Sequence, residues 1–80
     1  MSVGVRIVGL DLMTEVVSAE ISVPPEARLD VMRIAGVPET DPELTGSYPL
    51  GEHQLRLITD TTHIVIEPRK CSYFLEANQE

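Results

Sequence analysis

The stretch from Gly36 to Leu50, GVPETDPELTGSYPL, most limits what this chain can become. It holds three prolines, two glycines and three carboxylates, and no Lys or Arg occurs between Arg33 and Arg56. Proline lacks a backbone N–H and fixes φ, so such a segment runs neither as a helix nor as an inner strand. It reads as an acidic, proline-pinned loop between two halves. Two alternating apolar runs and a helical pattern precede it; a shorter helical pattern and two strand-like runs follow.

In the first half, Val3, Val5 and Ile7 alternate with Gly4, Arg6 and Val8, the period of a strand. Asp11–Thr14 breaks the alternation and turns the chain. The second run places Val17, Ala19, Ile21 and Val23 on one face and Val16, Ser18, Glu20 and Ser22 on the other. Together they predict an antiparallel hairpin with one wet face, which Arg6 and Glu20 share. Pro24-Pro25 ends the second strand and suits the first turn of a helix, where proline's missing N–H is not needed. Leu29, Met32 and Arg33 follow at helical spacing, and Ala27, Val31, Ile34 and Ala35 widen the apolar stripe. Gly36 is the natural C-cap and Pro38 forbids continuation, which predicts a helix over 25–35.

After the loop, Tyr48 and Leu50 point the same way in a short edge strand, where Pro49 is tolerable. Gly51–Ile58 reads as a short helix with Leu55 and Ile58 inward, and Thr59–Thr62 as a polar connection. His63–Ile66 reads as a β-branched strand, Glu67–Lys70 as a charged turn, and Cys71–Ala77 as the last strand. In that strand Cys71, Tyr73, Leu75 and Ala77 alternate with Ser72, Phe74 and Glu76; the residues beyond Asn78 are expected to fray. The assembly is a single α+β domain, residues 1–80: a small antiparallel sheet of about four strands, a main helix at 25–35 and a short one near 51–58. With two Tyr, one Phe and no Trp, its core must be aliphatic.

Charge narrows the function. Thirteen acidic against six basic residues give a formal net charge of −7. That excess argues against nucleic acid, which needs cations to displace counterions, and against anionic lipid. It favours solubility and, for any protein partner, a basic one approached by electrostatic steering; the plainer reading is that the acidity serves solubility alone. A lone cysteine cannot staple a small fold, the N-terminal run alternates instead of forming an h-region, and no long apolar run spans a membrane. A cytoplasmic location is the expectation.

No constellation carries catalysis. His53 and His63 lack the spacing of a zinc site, and Cys71 falls on an apolar face, as an inert buried thiol does. Glu39, Asp41 and Glu43 sit close together, yet a polar loop seldom supplies the burial that a general acid needs. No glycine loop has phosphate-binding spacing. The expectation is a protein that is not an enzyme and takes no cofactor or metal. What remains is a surface. With Tyr73 and Leu75 facing the helix, Phe74 projects from the outer sheet face beside Glu20, Glu76 and Arg6, either as an aromatic anchor in a charged ring or as a side chain covered by the loop.

The residues resemble the cloacin-type immunity proteins, inhibitors of bacteriocin nucleases that cut ribosomal RNA. The likeness rests on the opening strand-turn-strand VGLDLMTEVVSAE and on the helix end VMRIAGVP. It rests further on the loop closing at Gly46 before Ser47, Tyr48 and Pro49-Leu50, and on the final strand SYFLE. The family's aromatic content is higher, and its tryptophan-bearing segment is replaced here by Gly51–Ile58. The resemblance implies a tight complex with a basic toxin domain, specificity near Ser47, and occlusion of the toxin's nucleic-acid-binding surface. On that reading Glu20, Glu39, Asp41, Glu43 and Glu76 pair with the partner's Lys and Arg, and Tyr48 and Phe74 anchor it. The alternative is a small acidic interaction module that buries its outer sheet face against a second copy and has no toxin.

Overall fold

The computed structural model describes residues 4–41, 44–67 and 69–78. Its elements follow the order β1 (Gly4–Asp11), β2 (Val17–Val23), a 3-10 turn (Pro25–Ala27), α1 (Arg28–Ala35), β3 (Tyr48–Leu50), α2 (Glu52–Thr62) and β4 (Cys71–Asn78). The strands make one antiparallel sheet in the order β2-β1-β4-β3, so the α+β class expected from the sequence is the observed one. Val3 and Glu43 lie outside the described residues, as does the chain beyond Asn78.

The hairpin is closed by its own turn chemistry. The Asp11 carboxylate accepts the backbone N–H groups of Met13 and Thr14 at 2.9 and 3.0 Å, and Glu15 takes the left-handed conformation at φ 59°. Those bonds, Thr14's first, hold the Asp11 carboxyl below the usual range. The chain then re-enters the sheet as Asp11 N–H meets the Val16 carbonyl at 2.9 Å. One residue too many lies in β2: Gly9 pairs with Ala19 but Leu10 with Val17, leaving Ser18 as a bulge. The bulge corrects the expected alternation. Val17 moves to the face of Leu10 and Val8 and is half exposed, while Ala19, Ile21 and Val23 keep the inner face.

The inner face is the core. Val5, Ile7 and Gly9 of β1 lie between Val23, Ile21 and Ala19 on one side and Ala77, Leu75 and Tyr73 on the other. Tyr48 and Leu50 of β3 extend the row. Onto it pack Ala27, Val31, Met32 and Ala35 from the first helical segment and Leu55 and Ile58 from α2. Ile7, Val31, Ile58 and Leu75 are essentially without solvent contact; burial of each such side chain contributes ~1.5–3 kcal/mol.

Gly9 is bare because the Tyr73 ring lies over it. A Cβ there would sit 2.8 Å from Tyr73 Cε1 and 3.2 Å from the Cβ atoms of Ala19 and Cys71. The ring is further fixed by its hydroxyl, which donates to the Glu67 carbonyl at 2.9 Å. Across the same gap the Ser18 hydroxyl and the Cys71 thiol meet at 3.1 Å.

The first helix ends as expected. Gly36 is left-handed at φ 78°, with Gly36 N–H on the Arg33 carbonyl and Val37 N–H on that of Met32, a Schellman closure. Its buried positions, Ala27, Val31 and Ala35 with Met32, place Leu29 on the opposite side, and Leu29 is 69% exposed. The expected stripe therefore loses Leu29. The second helix is longer than expected, because Thr59–Thr62 is helical: the Thr62 hydroxyl donates to the Ile58 carbonyl at 2.7 Å, and His63 at φ 63° closes the end on Thr59. The start carries half a capping box, with the Gln54 side chain accepting Gly51 N–H at 2.8 Å. The strand expected at His63–Ile66 does not form. Both edges of β4 are taken, by β1 and β3, so the segment crosses as a connector that sinks Ile66 into the core.

Candidate functional site

Because both helices pack on one face, the other face of the sheet is open. By register it carries Arg6, Val8 and Leu10 from β1, Val17, Glu20 and Ser22 from β2, and Ser72, Phe74 and Glu76 from β4, with Pro49 at the far edge. Val8 has only 4% exposure although it belongs to no part of the helix-side core. Its neighbours on the open face bury it: Phe74 and Glu20 stand opposite, Arg6 and Leu10 along the strand. Phe74 is half-buried between Val8 and Pro49. An apolar stripe thus runs across the face from Pro49 through Phe74 and Val8 to Leu10 and Val17. Beyond it, the hairpin tip exposes Leu12, Met13 and Val16.

One end of this face is charged. Arg6 reaches Glu20 Oε1 through Nη1 at 3.1 Å and Glu76 Oε1 through Nη2 at 3.6 Å. The other Glu76 oxygen accepts the Ser47 hydroxyl at 3.0 Å, which ties the loop to β4. Two carboxylates share one guanidinium, so the cluster keeps a net negative charge. Half-exposed pairs of this kind contribute ~0–1 kcal/mol each to stability. They are better suited to fixing side-chain positions than to holding the fold. Beside them Arg6, Glu76 and Ala77 face residues 44–47 across a shallow cleft of about 310 Å³.

The acidic loop is internally committed. Asp41 accepts Thr45 N–H at 2.8 Å, the Thr45 hydroxyl at 2.7 Å, Gly46 N–H at 3.2 Å and the Tyr48 hydroxyl at 2.5 Å. These bonds, Tyr48's above all, lower the Asp41 carboxyl to about 2, and the same carboxylate raises the Tyr48 phenol. Leu44 turns inward at 4% exposure with a left-handed φ of 53°, anchoring the loop on the core.

The residues expected to bind a partner therefore fall into separate groups. Glu20, Phe74 and Glu76 come together on the open face, with Ser47 at its rim. Asp41 and Tyr48 instead staple the loop, and Tyr48 is a helix-side residue opposite Leu75. Glu39 is exposed and makes no ion pair among the described residues. Val8 and Leu10 are the members that sequence reasoning passed over. Their signal was present: apolar residues at wet positions of β1, in the same phase as Phe74 in β4. Among the described residues no three His, Cys, Asp or Glu side chains converge to hold a metal ion, and no helix is long and apolar enough to cross a membrane. Cys71 is half-buried with a free thiol.

No curated protein and no solved structure matches this chain. A family model covers residues 7–76, from the middle of β1 into β4, and by that match the chain belongs to the DUF7683 family, a domain of unknown function.

Proposed function

We propose that this protein is an immunity-type inhibitor, acting in the cytoplasm, that neutralises a basic bacterial toxin, an RNase, by covering its nucleic-acid-binding surface. The observation that carries the reading is the open sheet face, where Phe74 and Pro49, seated beside buried Val8, lie next to Glu20, Glu76 and Arg6 in a chain of net charge −7. An apolar centre with a charged rim is the anatomy of a binding surface. The acidic excess supplies long-range attraction for the cations that such a toxin uses on phosphates. The resemblance to cloacin-type immunity proteins points to the same class of partner.

The test is co-expression with the product of the adjacent gene. A toxic basic neighbour, tolerated only when this protein is present and co-purifying with it less well at high salt, supports the reading. A harmless neighbour that does not co-purify removes it. The exposed hairpin tip, with Met13 at 93% and Leu12 at 59% exposure, favours one second reading, a homodimer closed through the open face. Sedimentation at several concentrations separates the two.

A further inference from the structure

The two edges of the sheet are unlike. β3 is three residues long with Pro49 at its centre, which leaves little for another strand to pair with. β2 is seven residues long and contains no Pro, Lys or Arg, and no backbone hydrogen bond among the described residues occupies its outward side. Exposed edges are normally blunted by such residues, by shortness or by bulges. Here the bulge at Ser18 guards only the beginning, so alternate residues of Ala19–Val23 turn backbone donors and acceptors outward up to Pro24.

We propose that Ala19–Val23 receives an extended segment of the basic partner as a fifth strand of the sheet. This rests on the reading that a basic partner exists, and it names how that partner is held. Main-chain pairing would supply the attachment and alternate side chains the selection. On the inner side the added strand meets half-buried Ile21, which asks for an apolar residue. On the outer side it meets Glu20, the only charged residue of β2, from the flank opposite Arg6. A Lys or Arg there completes a row of cation, carboxylate, cation; an acidic residue is repelled. The same charge disfavours a second copy, since pairing β2 with itself brings Glu20 near its own image on two chains of net charge −7.

The probe is a capped heptapeptide, Val-Thr-Val-Lys-Val-Thr-Val, compared with its twin carrying Glu at the centre, with hydrogen exchange of the full chain read residue by residue. The Lys peptide is expected to slow exchange across Ala19–Val23 and to bind roughly 25-fold tighter than the Glu peptide at low salt, about fivefold from the ion pair gained and about fivefold from the like-charge repulsion avoided. Strong salt should erase the preference, and Glu20→Lys, a surface change that leaves the fold intact, should invert it. Protection absent from Ala19–Val23, or equal for both peptides, overturns the proposal. So does concentration-dependent protection of that segment in the protein alone, which would assign the edge to a second copy. Because the probe is not the toxin, strand addition can fail while neutralisation stands, and stand while neutralisation fails.

Discussion

Gly9→Ala is the sharpest test of how the sheet is packed. The new methyl would lie 2.8 Å from Tyr73 Cε1, against ordinary contacts of 3.4 Å or more, with Ala19 and Cys71 at 3.2 Å on either side. Relief cannot come from β1, which is hydrogen-bonded to both neighbours. The ring must move, and it is buried at 6% exposure with its hydroxyl on the Glu67 carbonyl. Overpacking of this kind costs ~1–3 kcal/mol, and loss of the hydrogen bond ~1 kcal/mol more. The smaller unfolded-state entropy of alanine offsets ~0.4–1 kcal/mol. The expected net loss is ~1–3 kcal/mol, which in a domain of this size lowers Tm by roughly 4–8 °C per kcal/mol. Urea and thermal unfolding followed by circular dichroism read it. Gly46→Ala is the control, because a Cβ there meets nothing closer than 3.6 Å. Tyr73→Leu in the Gly9→Ala background should recover part of the loss. If Gly9→Ala were neutral and Gly46→Ala were not, the ring would not lie over β1 and the inner face would be packed otherwise.

Three further expectations follow from the same geometry. Ile58→Ala should destabilise by ~2–5 kcal/mol by leaving a core cavity, whereas Leu29→Ala, on the solvent side of α1, should stay within ~0.5 kcal/mol; equal losses would mean the helix is rotated from the described orientation. Asp41, with a folded carboxyl at about 2 against 3.8, contributes stability present above the unfolded value and lost as pH falls from there towards 2. The urea midpoint should therefore drop over that acid window in the wild type, and the drop should shrink in Asp41→Asn and Tyr48→Phe. On the proposed function, Glu76→Lys, which reverses a carboxylate bonded to both Arg6 and Ser47, should weaken binding of the basic partner at least about tenfold, and Glu39→Lys much less. A larger effect of Glu39 in salt titrations of the complex would return the binding role to the loop.

The hairpin, the helix over 25–35 and its glycine end were legible because each is written in local chemistry: period-two apolar residues, Pro24-Pro25, and Gly36 before Pro38. The misses have physical causes that period alone does not carry. A bulge adds one residue and reverses the phase of everything beyond it, so Val17 reads as inner until Leu10 is seen opposite. Thr59–Thr62 has poor helix propensity, but the turn before it is already buried through Ile58, and once a helix exists each residue added gains a hydrogen bond without a second nucleation. His63–Ile66 has every mark of a strand, but both edges of β4, the strand it leads into, are already taken by β1 and β3. The open face was half legible: Phe74, Glu20 and Glu76 were placed by alternation, while Val8 was read as the wet side of its strand and no more. Asp41 looked like a charge awaiting a partner because its four donors, Thr45 twice, Gly46 and Tyr48, gather only when the loop closes.

The fate of the carboxylates decides what the acidity can do. Asp11 and Asp41 are spent on turns, and Asp30, Glu52 and Glu67 face cations three or four residues away. Glu20 and Glu76 share Arg6. Among the described residues this leaves Glu15, Glu26, Glu39 and Asp60, spread over different elements, without an ion pair. Charges so dispersed set a field that draws a cation-bearing surface inward and fades with salt. They do not form a template that selects one basic surface over another. On the proposed function, selection would then come from shape close at hand: Phe74 and Pro49 in the open face, and Ser47 with the cleft beside Glu76. If the proposed inhibitor meets several related basic partners, affinity differences among them should survive in strong salt even as association slows, and a specificity that vanished with screening would place it back in the charges.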